Sequence, residues 1–236
     1  MQELTFDRER AYEEAGFDVV VGVDEAGRGP LAGSVVAAAA ALRQGAMNGE
    51  QGTTDGEEKE WKLIRDSKTL SEKQRDRAFE FVHEKFFVGV GIVHAETIDR
   101  INILEATFLA MKSALSELKI QDTGYKMQKT IVLVDGNMTI PNLSLPQEAV
   151  VGGDGIVRSI AAASIIAKVT RDRMMLEYDK EYPLYGFAQH KGYGTKGHMD
   201  ALRKHGACPI HRMSFKPVFY SIPENVNRNL LSRKRK

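Results

Sequence analysis

The sequence predicts an α/β protein: a mixed central sheet flanked by helices, with a short C-terminal helical tail. Three observations predict it. Apolar segments follow one another in the order β-β-α-β-α-β-α, which layers helices on one sheet. The first two strands, ending in "VGVDE" and opening with "GSVVAAAAAL", are parted by only a short turn, as in an antiparallel hairpin. The segment "TIVLVDG" is apolar on both faces, as a central strand parallel to its neighbour should be.

Each element has its own warrant. Residues 1–16 read as a helix anchored by Tyr12 and Phe17. Strand one covers 18–24, where Val19, Val21 and Val23 alternate, and it ends in Asp24 and Glu25. Strand two lies within 33–42. Residues 43–60, rich in Gly, Thr, Asn and Glu, have little to bury and read as a surface loop. Thr69 with Glu72 has capping-box spacing, and Phe79, Val82 and Phe86 continue at helical intervals. Strand three is "FFVGVGIV" (86–93). From residue 95 to 118 a single amphipathic helix is expected, with Ile101, Leu104, Phe108, Met111, Leu115 and Leu118 on one stripe. Strand four (130–136) closes on Asp135 and Gly136, a short strand near 149–151 precedes Gly153 and Asp154, and a long helix covers 156–180.

Composition bounds the function. With 236 residues, 42% hydrophobic and 28% charged, the chain has ample material for one large core. The polar N-terminal "MQELTFDRER" lacks a signal-peptide pattern, and no apolar run approaches the ~18 residues of a membrane span. One cysteine, Cys208, excludes an internal disulfide and suits a reducing, cytoplasmic setting, where it reads as a small packed residue. The net charge is only +1, but it is unevenly spread. Residues 1–60 hold five Lys/Arg against thirteen Asp/Glu, whereas residues 181–236 hold eleven against three. Such a basic C-terminal part suits a polyanion, although a solubilising tail ending "RKRK" explains part of it.

The acids carry the chemistry. Two strands end in carboxylates, at Asp24–Glu25 and at Asp135, and Asp154 stands just before a helix. In open α/β sheets ligands bind beyond the carboxyl ends of the strands, so these acids are candidates for one cleft. Crowded carboxylates repel unless protons or cations neutralise them, and all-oxygen ligands favour Mg²⁺ or Mn²⁺ over zinc. Two such ions ~4 Å apart can hold the attacking and leaving oxygens of a phosphodiester. An Asp-Gly pair such as Asp135–Gly136 is also an ordinary turn, but a turn needs no second carboxylate beside Asp24. The histidines offer no rival site, since His83, His94, His190, His198, His205 and His211 lack metal spacing in sequence.

At these residues the chain resembles the ribonuclease HII family, the type 2 ribonucleases H of bacteria. "GVDEAGRGPLAG", "DSKTLS", "LVDGN", "SIAAASIIAKVTRD", "YPLYGFAQHKGYGT" and "PIHRMSF" occur in the family's order over roughly residues 17–220. The resemblance implies a ribonuclease H-like fold, with a catalytic domain over 1–215 and a basic tail over 216–236. It implies a two-metal endonuclease, taking Mg²⁺ or Mn²⁺ on Asp24, Glu25, Asp135 and Asp154. Asp172, inside a helix between Arg171 and Arg173, competes for the fourth place but reads more simply as a surface ion pair. The family uses a loop like Gly27-Arg28-Gly29 to sense the 2′-OH beside the cut, and a tyrosine matching Tyr193 to stack on the following deoxynucleotide. On residues alone Tyr193 is a half-buried loop aromatic. Ser67, Lys68, His190 and Lys191 are candidate phosphate grips, and Ala161–Ser164 permit close helix packing.

The implied substrates are RNA–DNA hybrids and DNA duplexes containing ribonucleotides, cut 5′ of the ribonucleotide to leave 3′-OH and 5′-phosphate ends by a monomer with no membrane association. Three positions depart from the family: Ser34 for proline, Gly152 for the lysine before Gly-Asp, and Gly197 for glutamate. Ribonuclease HIII is disfavoured because about sixteen residues precede strand one, too few for its N-terminal domain. Ribonuclease HI lacks Gly-Arg-Gly after its acids. An inactive hybrid binder would gain nothing from carboxylates facing phosphates.

Overall fold

Eight residues of "VVVGVDEA" make β1 (Val19–Ala26), where β-branched valines suit a pleated, buried surface. The strand runs two residues further than expected, so Asp24 and Glu25 lie inside it. β2 (Val35–Leu42) pairs antiparallel with β1, with Val23 opposite Ala39. β4 (Thr130–Asp135) pairs parallel with β1, with Val23 opposite Val134, and β5 (Gln147–Val150) pairs parallel with β4. β3 (Phe86–Val93) completes the order β3-β2-β1-β4-β5, a mixed sheet as predicted. The computed structural model describes residues 4–43, 55–118 and 129–221. The described chain divides into two compact units that interleave along the sequence: Met1–Ala26, Val36–Ile92 and Thr107–Thr170, then Gly27–Val35, Val93–Ala106 and Arg171–Lys236.

The first unit holds the sheet. Its core joins Ala38 and Ala40 of β2 to Phe6, Trp61, Phe81 and Phe86, and Trp61 meets Phe6 and Phe81 edge-on at 5.5 and 4.9 Å. α1 (Asp7–Glu14) is shorter than the expected helix, and Tyr12 and Phe17 pack edge-on at 5.8 Å as its anchors. Within the segment expected to be loop, Asp55–Trp61 forms α2, with Trp61 buried; residues 44–54 lie outside the described residues. The glycine-rich composition hid a helix that a single aromatic anchors. Residues 67–69 wind into a 3-10 turn capped by Asp66, and Thr69 turns its hydroxyl onto the Asp66 carbonyl. Thr69 is therefore inside that turn, and the capping box belongs to Ser71 and Gln74 at the start of α3 (Glu72–Lys85).

The expected helix over 95–118 is two: α4 (Ala95–Ile101) and α5 (Ile103–Glu117). Asn102 breaks it with φ of 71°, and its side-chain oxygen accepts from the amides of Leu104 and Glu105 to cap α5. Helical periodicity survives such a break, so the apolar stripe did not reveal it. α6 (Arg158–Glu181) begins against β1, where a side chain on Gly22 would strike the backbone of Ser159 and Ile160.

The second unit is built from loops and short helices: α7 (Phe187–His190), α8 (Lys196–His205) and α9 (Lys216–Ser221). Leu31, Leu202 and Val218 form one small core; Ala32, Met175, Tyr185 and Phe187 form another. α9 is the predicted C-terminal helix. Among the described residues no helix is long and apolar enough to cross a membrane.

Candidate active site

The parallel pairing of β1 with β4 decides where the acids go. With Val23 opposite Val134, Asp24 and Asp135 follow at the same level on neighbouring strands. Asp24 is 5% exposed, and the Glu25 amide donates to its Oδ1 at 2.7 Å. Burial pushes the Asp24 carboxyl well above the ordinary carboxylate range, and repulsion from Glu25 and Asp135 adds to it. A hydrogen bond from Ser164 opposes the shift. Asp135 is also raised, first by burial and then by Asp154.

Asp154 is brought in by a tight turn. Gly152 adopts the left-handed conformation, and Gly153–Gly155 coil into a 3-10 turn after it. The Gly153 amide donates to Asp135 Oδ1 at 2.7 Å, tying this turn to the end of β4. A Cβ on Gly153 would press into Ile160 at 2.5 Å and lie 3.3 Å from that same oxygen. Gly152, one of the departures from the family, stands at φ of 65°, where a lysine would be strained. Positive charge comes instead from Lys68, whose Nζ lies 3.2 Å from Asp154 Oδ2. Burial alone would lower the Lys68 pKa, but Asp154, Asp66 and Asp24 raise it overall.

Ser67 is 2% exposed, and its hydroxyl lies 3.0 Å from that of Ser164. Ser164 thus does more than permit packing: it links Ser67 to Asp24. The sole sequence signal was a serine within an alanine run, which reads as small-residue packing. Among the described residues no group of three or more acids, histidines or cysteines is placed to hold a metal ion. The donor chemistry nevertheless fits a hard divalent cation, because Asp24, Asp135 and Asp154 offer only oxygens, and neighbouring acids add to the raised pKa values of Asp24 and Asp135.

The other candidate residues lie in the second unit. Gly27 has φ of 97°, and a side chain there would collide with Arg171. A Cβ built on Gly29 would stand 3.8 Å from the Tyr193 ring, so the Gly-Arg-Gly loop and Tyr193 adjoin. Tyr193 is 46% exposed. His190 shapes the chain between them, with Nε2 2.8 Å from the Tyr185 carbonyl and Nδ1 accepting from the Gly192 amide at 3.2 Å. Lys191 is left-handed, with φ of 49°, and its Nζ donates to the Ala188 carbonyl. Arg171, beside Asp172 on α6, is turned to the interior. It is 1% exposed and donates to the carbonyls of Ser34 and Ala32 at 3.1 and 3.2 Å. The sequence also concealed a histidine cluster: His190 stacks on His198 at 4.4 Å, and the Nε2 atoms of His198 and His211 are 3.0 Å apart. No metal spacing announced it, because its members arrive from separate segments.

The family model described as Ribonuclease HII matches residues 21–218. Ribonuclease HII of Endomicrobium trichonymphae is 50% identical over 214 residues, which cover 90% of this chain and 92% of its own. Ribonuclease HII of Geotalea daltonii is 50% identical over 204 residues, 86% of this chain and 85% of its own. Among solved structures, the ribonuclease H2 from Pyrococcus horikoshii OT3 superposes with a TM-score of 0.65 at 26% identity, covering 89% of this chain and 99% of that one. Bst-RNase HIII, solved in complex with Mn²⁺, shares the fold at 15% identity and a TM-score of 0.63, over 93% of this chain and 73% of that one. The acids at the ends of β1 and β4 are thus set in a ribonuclease H-like fold, and the chain belongs to the ribonuclease HII family, whose members are ribonuclease H endonucleases.

Proposed function

We propose that this endonuclease cuts the RNA strand of RNA–DNA hybrids and incises duplex DNA 5′ of a single embedded ribonucleotide, leaving 3′-OH and 5′-phosphate ends. One observation carries the reading: Asp24, Asp135 and Asp154 are gathered at the carboxyl ends of parallel strands, and Gly27-Arg28-Gly29 begins immediately after β1. Consecutive Cα atoms are about 3.8 Å apart, so Gly27 lies no more than about 7.6 Å from Glu25. The group that holds the scissile phosphate and the loop that meets its ribose are therefore near neighbours along the chain.

Asp24, Glu25, Asp135 and Asp154 would hold Mg²⁺ or Mn²⁺. The ions would supply Lewis-acid stabilisation of the phosphate and a water acidic enough to attack it. The protein's own part is positional. Ser164 and the Glu25 amide orient the Asp24 carboxyl, the Gly153 amide orients Asp135, and Lys68 faces Asp154. The peptide groups of Gly27 and Gly29 approach the sugar edge, where a 2′-OH is both donor and acceptor. Tyr193 offers an exposed ring to the next sugar, and Ser67, Lys68, His190 and Lys191 fix the segments that meet the backbone phosphates. The enzyme acts as a cytoplasmic monomer.

The test is cleavage of a labelled DNA duplex bearing one ribonucleotide, with Mg²⁺, Mn²⁺ or EDTA, beside an all-DNA duplex and one with four consecutive ribonucleotides. A single metal-dependent cut 5′ of the lone ribonucleotide is expected. Cutting only the four-ribonucleotide duplex would refute junction recognition, and binding without cutting would refute catalysis.

A further inference from the structure

The segment "PIHRMSF" has no part in the chemistry above, yet it is threaded through both recognition loops. Arg212 is fully buried, its guanidinium lies over the Phe215 ring at 5.1 Å, and its N–H groups donate to backbone carbonyls. Nε donates to the Gly33 carbonyl at 2.9 Å, Nη1 to those of Arg28 and Pro30 at 2.9 and 2.8 Å, and Nη2 to that of Gly27 at 2.5 Å. Four carbonyls between Gly27 and Gly33, two of them in the Gly-Arg-Gly turn, thus converge on one planar fork. The segment itself is fastened: the Arg212 amide donates to the Leu31 carbonyl at 2.8 Å, and Asp99 accepts from the amides of Met213 and Ser214, both at 2.8 Å.

The preceding residue reaches the other loop. His211 Nδ1 faces two donors, the Cys208 amide at 2.9 Å and its thiol at 3.1 Å, both nearer than the Cys208 carbonyl at 3.2 Å. Nδ1 is therefore bare and the proton sits on Nε2. Nε2–H donates to His198 Nε2 at 3.0 Å, so the His198 proton is on Nδ1, which donates to the Tyr193 carbonyl at 2.9 Å. The chain of donors runs from Cys208 to Tyr193 with both rings neutral. Burial agrees with that state, holding His211 down to about 4 and lowering His198 as well.

We propose that His211 and Arg212 are positioning residues for ribonucleotide recognition, Arg212 setting the shape of the Gly27–Gly29 turn and His211, through His198, setting the place of Tyr193. Two adjacent residues thereby hold the 2′-OH sensor and the sugar-stacking ring in one register. This rests on the reading that those two loops sense the ribonucleotide.

Two variants test it. Arg212→Lys keeps the charge but loses the fork that reaches four carbonyls together. His211→Phe keeps the ring volume and loses the donor to His198. For each, kcat and KM are measured on the one-ribonucleotide duplex and on a uniform RNA–DNA hybrid, with cooperative thermal melts as a check on folding. The selectivity ratio between the two substrates should fall by about 10-fold, the scale of one hydrogen bond to a charged or well-placed donor. A merely structural role lowers both substrates alike, and an unmoved ratio in both variants overturns the proposal. So does failure of both variants to fold, since residues required for folding have no separable positioning role. Wild-type protein that ignores the lone ribonucleotide would instead sink the reading of the loops.

Discussion

The two units bury charge in opposite ways. In the first, Asp24 is buried among acids of the same sign, and its ionised form is opposed by its surroundings. In the second, Arg171 and Arg212 are buried among backbone carbonyls that accept their N–H groups. Burial lowers both arginine pKa values, Arg212 to about 9 with Arg171 adding to it, yet both are cations at neutral pH. The contrast separates two uses of an expensive group. Charge left under-compensated attracts a ligand that completes it, whereas charge fully hydrogen-bonded fixes the backbone around it.

The largest expected effect breaks the acidic side of this contrast. Asp135→Asn keeps the shape of β4 and removes a carboxylate, and should slow cleavage of the one-ribonucleotide duplex by roughly 10³-fold or more. Full retained activity would show that the acids are structural. On the basic side, Arg212→Met would strand four buried carbonyls, and urea unfolding should register a loss of about 3 kcal/mol. A loss within error of zero would mean that the guanidinium does not hold the turn.

The third prediction distinguishes the two sides by sign. A carboxyl whose pKa rises on folding costs nothing below its ordinary value near 3.8, where it is protonated folded or unfolded. As pH climbs through the raised folded value the penalty grows, and it is fully present above. In EDTA at pH 7, Asp24→Asn should therefore stabilise the fold, by about 1 kcal/mol in thermal melts, while abolishing cleavage. Added Mg²⁺ should raise the Tm of the wild type more than that of the variant. A destabilised Asp24→Asn in EDTA would contradict the electrostatic account. The smallest effect serves as a reference outside both clusters: Ser71→Ala removes the α3 cap and should cost about 1 kcal/mol with cleavage unchanged.

Most of the first unit was legible in sequence because its signals are local. Alternating valines marked β1, the doubly apolar run marked β4, and adjacent acids at a strand end stood out against ordinary turns. Errors came where a local pattern had two readings. Thr69–Glu72 and Ser71–Gln74 share capping spacing, and only the 3-10 turn over 67–69 assigns the cap to Ser71. Asn102 interrupts a helix without disturbing its stripe, since a capped restart preserves the apolar face. Ser164 looked like its alanine neighbours, and its hydroxyl acquired meaning only from what it faces.

By itself the sequence determined the acids, the strands that carry them and the family, because backbone period and side-chain chemistry are properties of short stretches. The register of β1 against β4, which sets Asp24 level with Asp135, was decided by tertiary structure. So were the burial of Arg171 and Arg212 and the joining of His198 to His211. The physical reason is the same in each case. A hydrogen bond or a pKa depends on groups far apart in the chain, and no local pattern carries the distance between them.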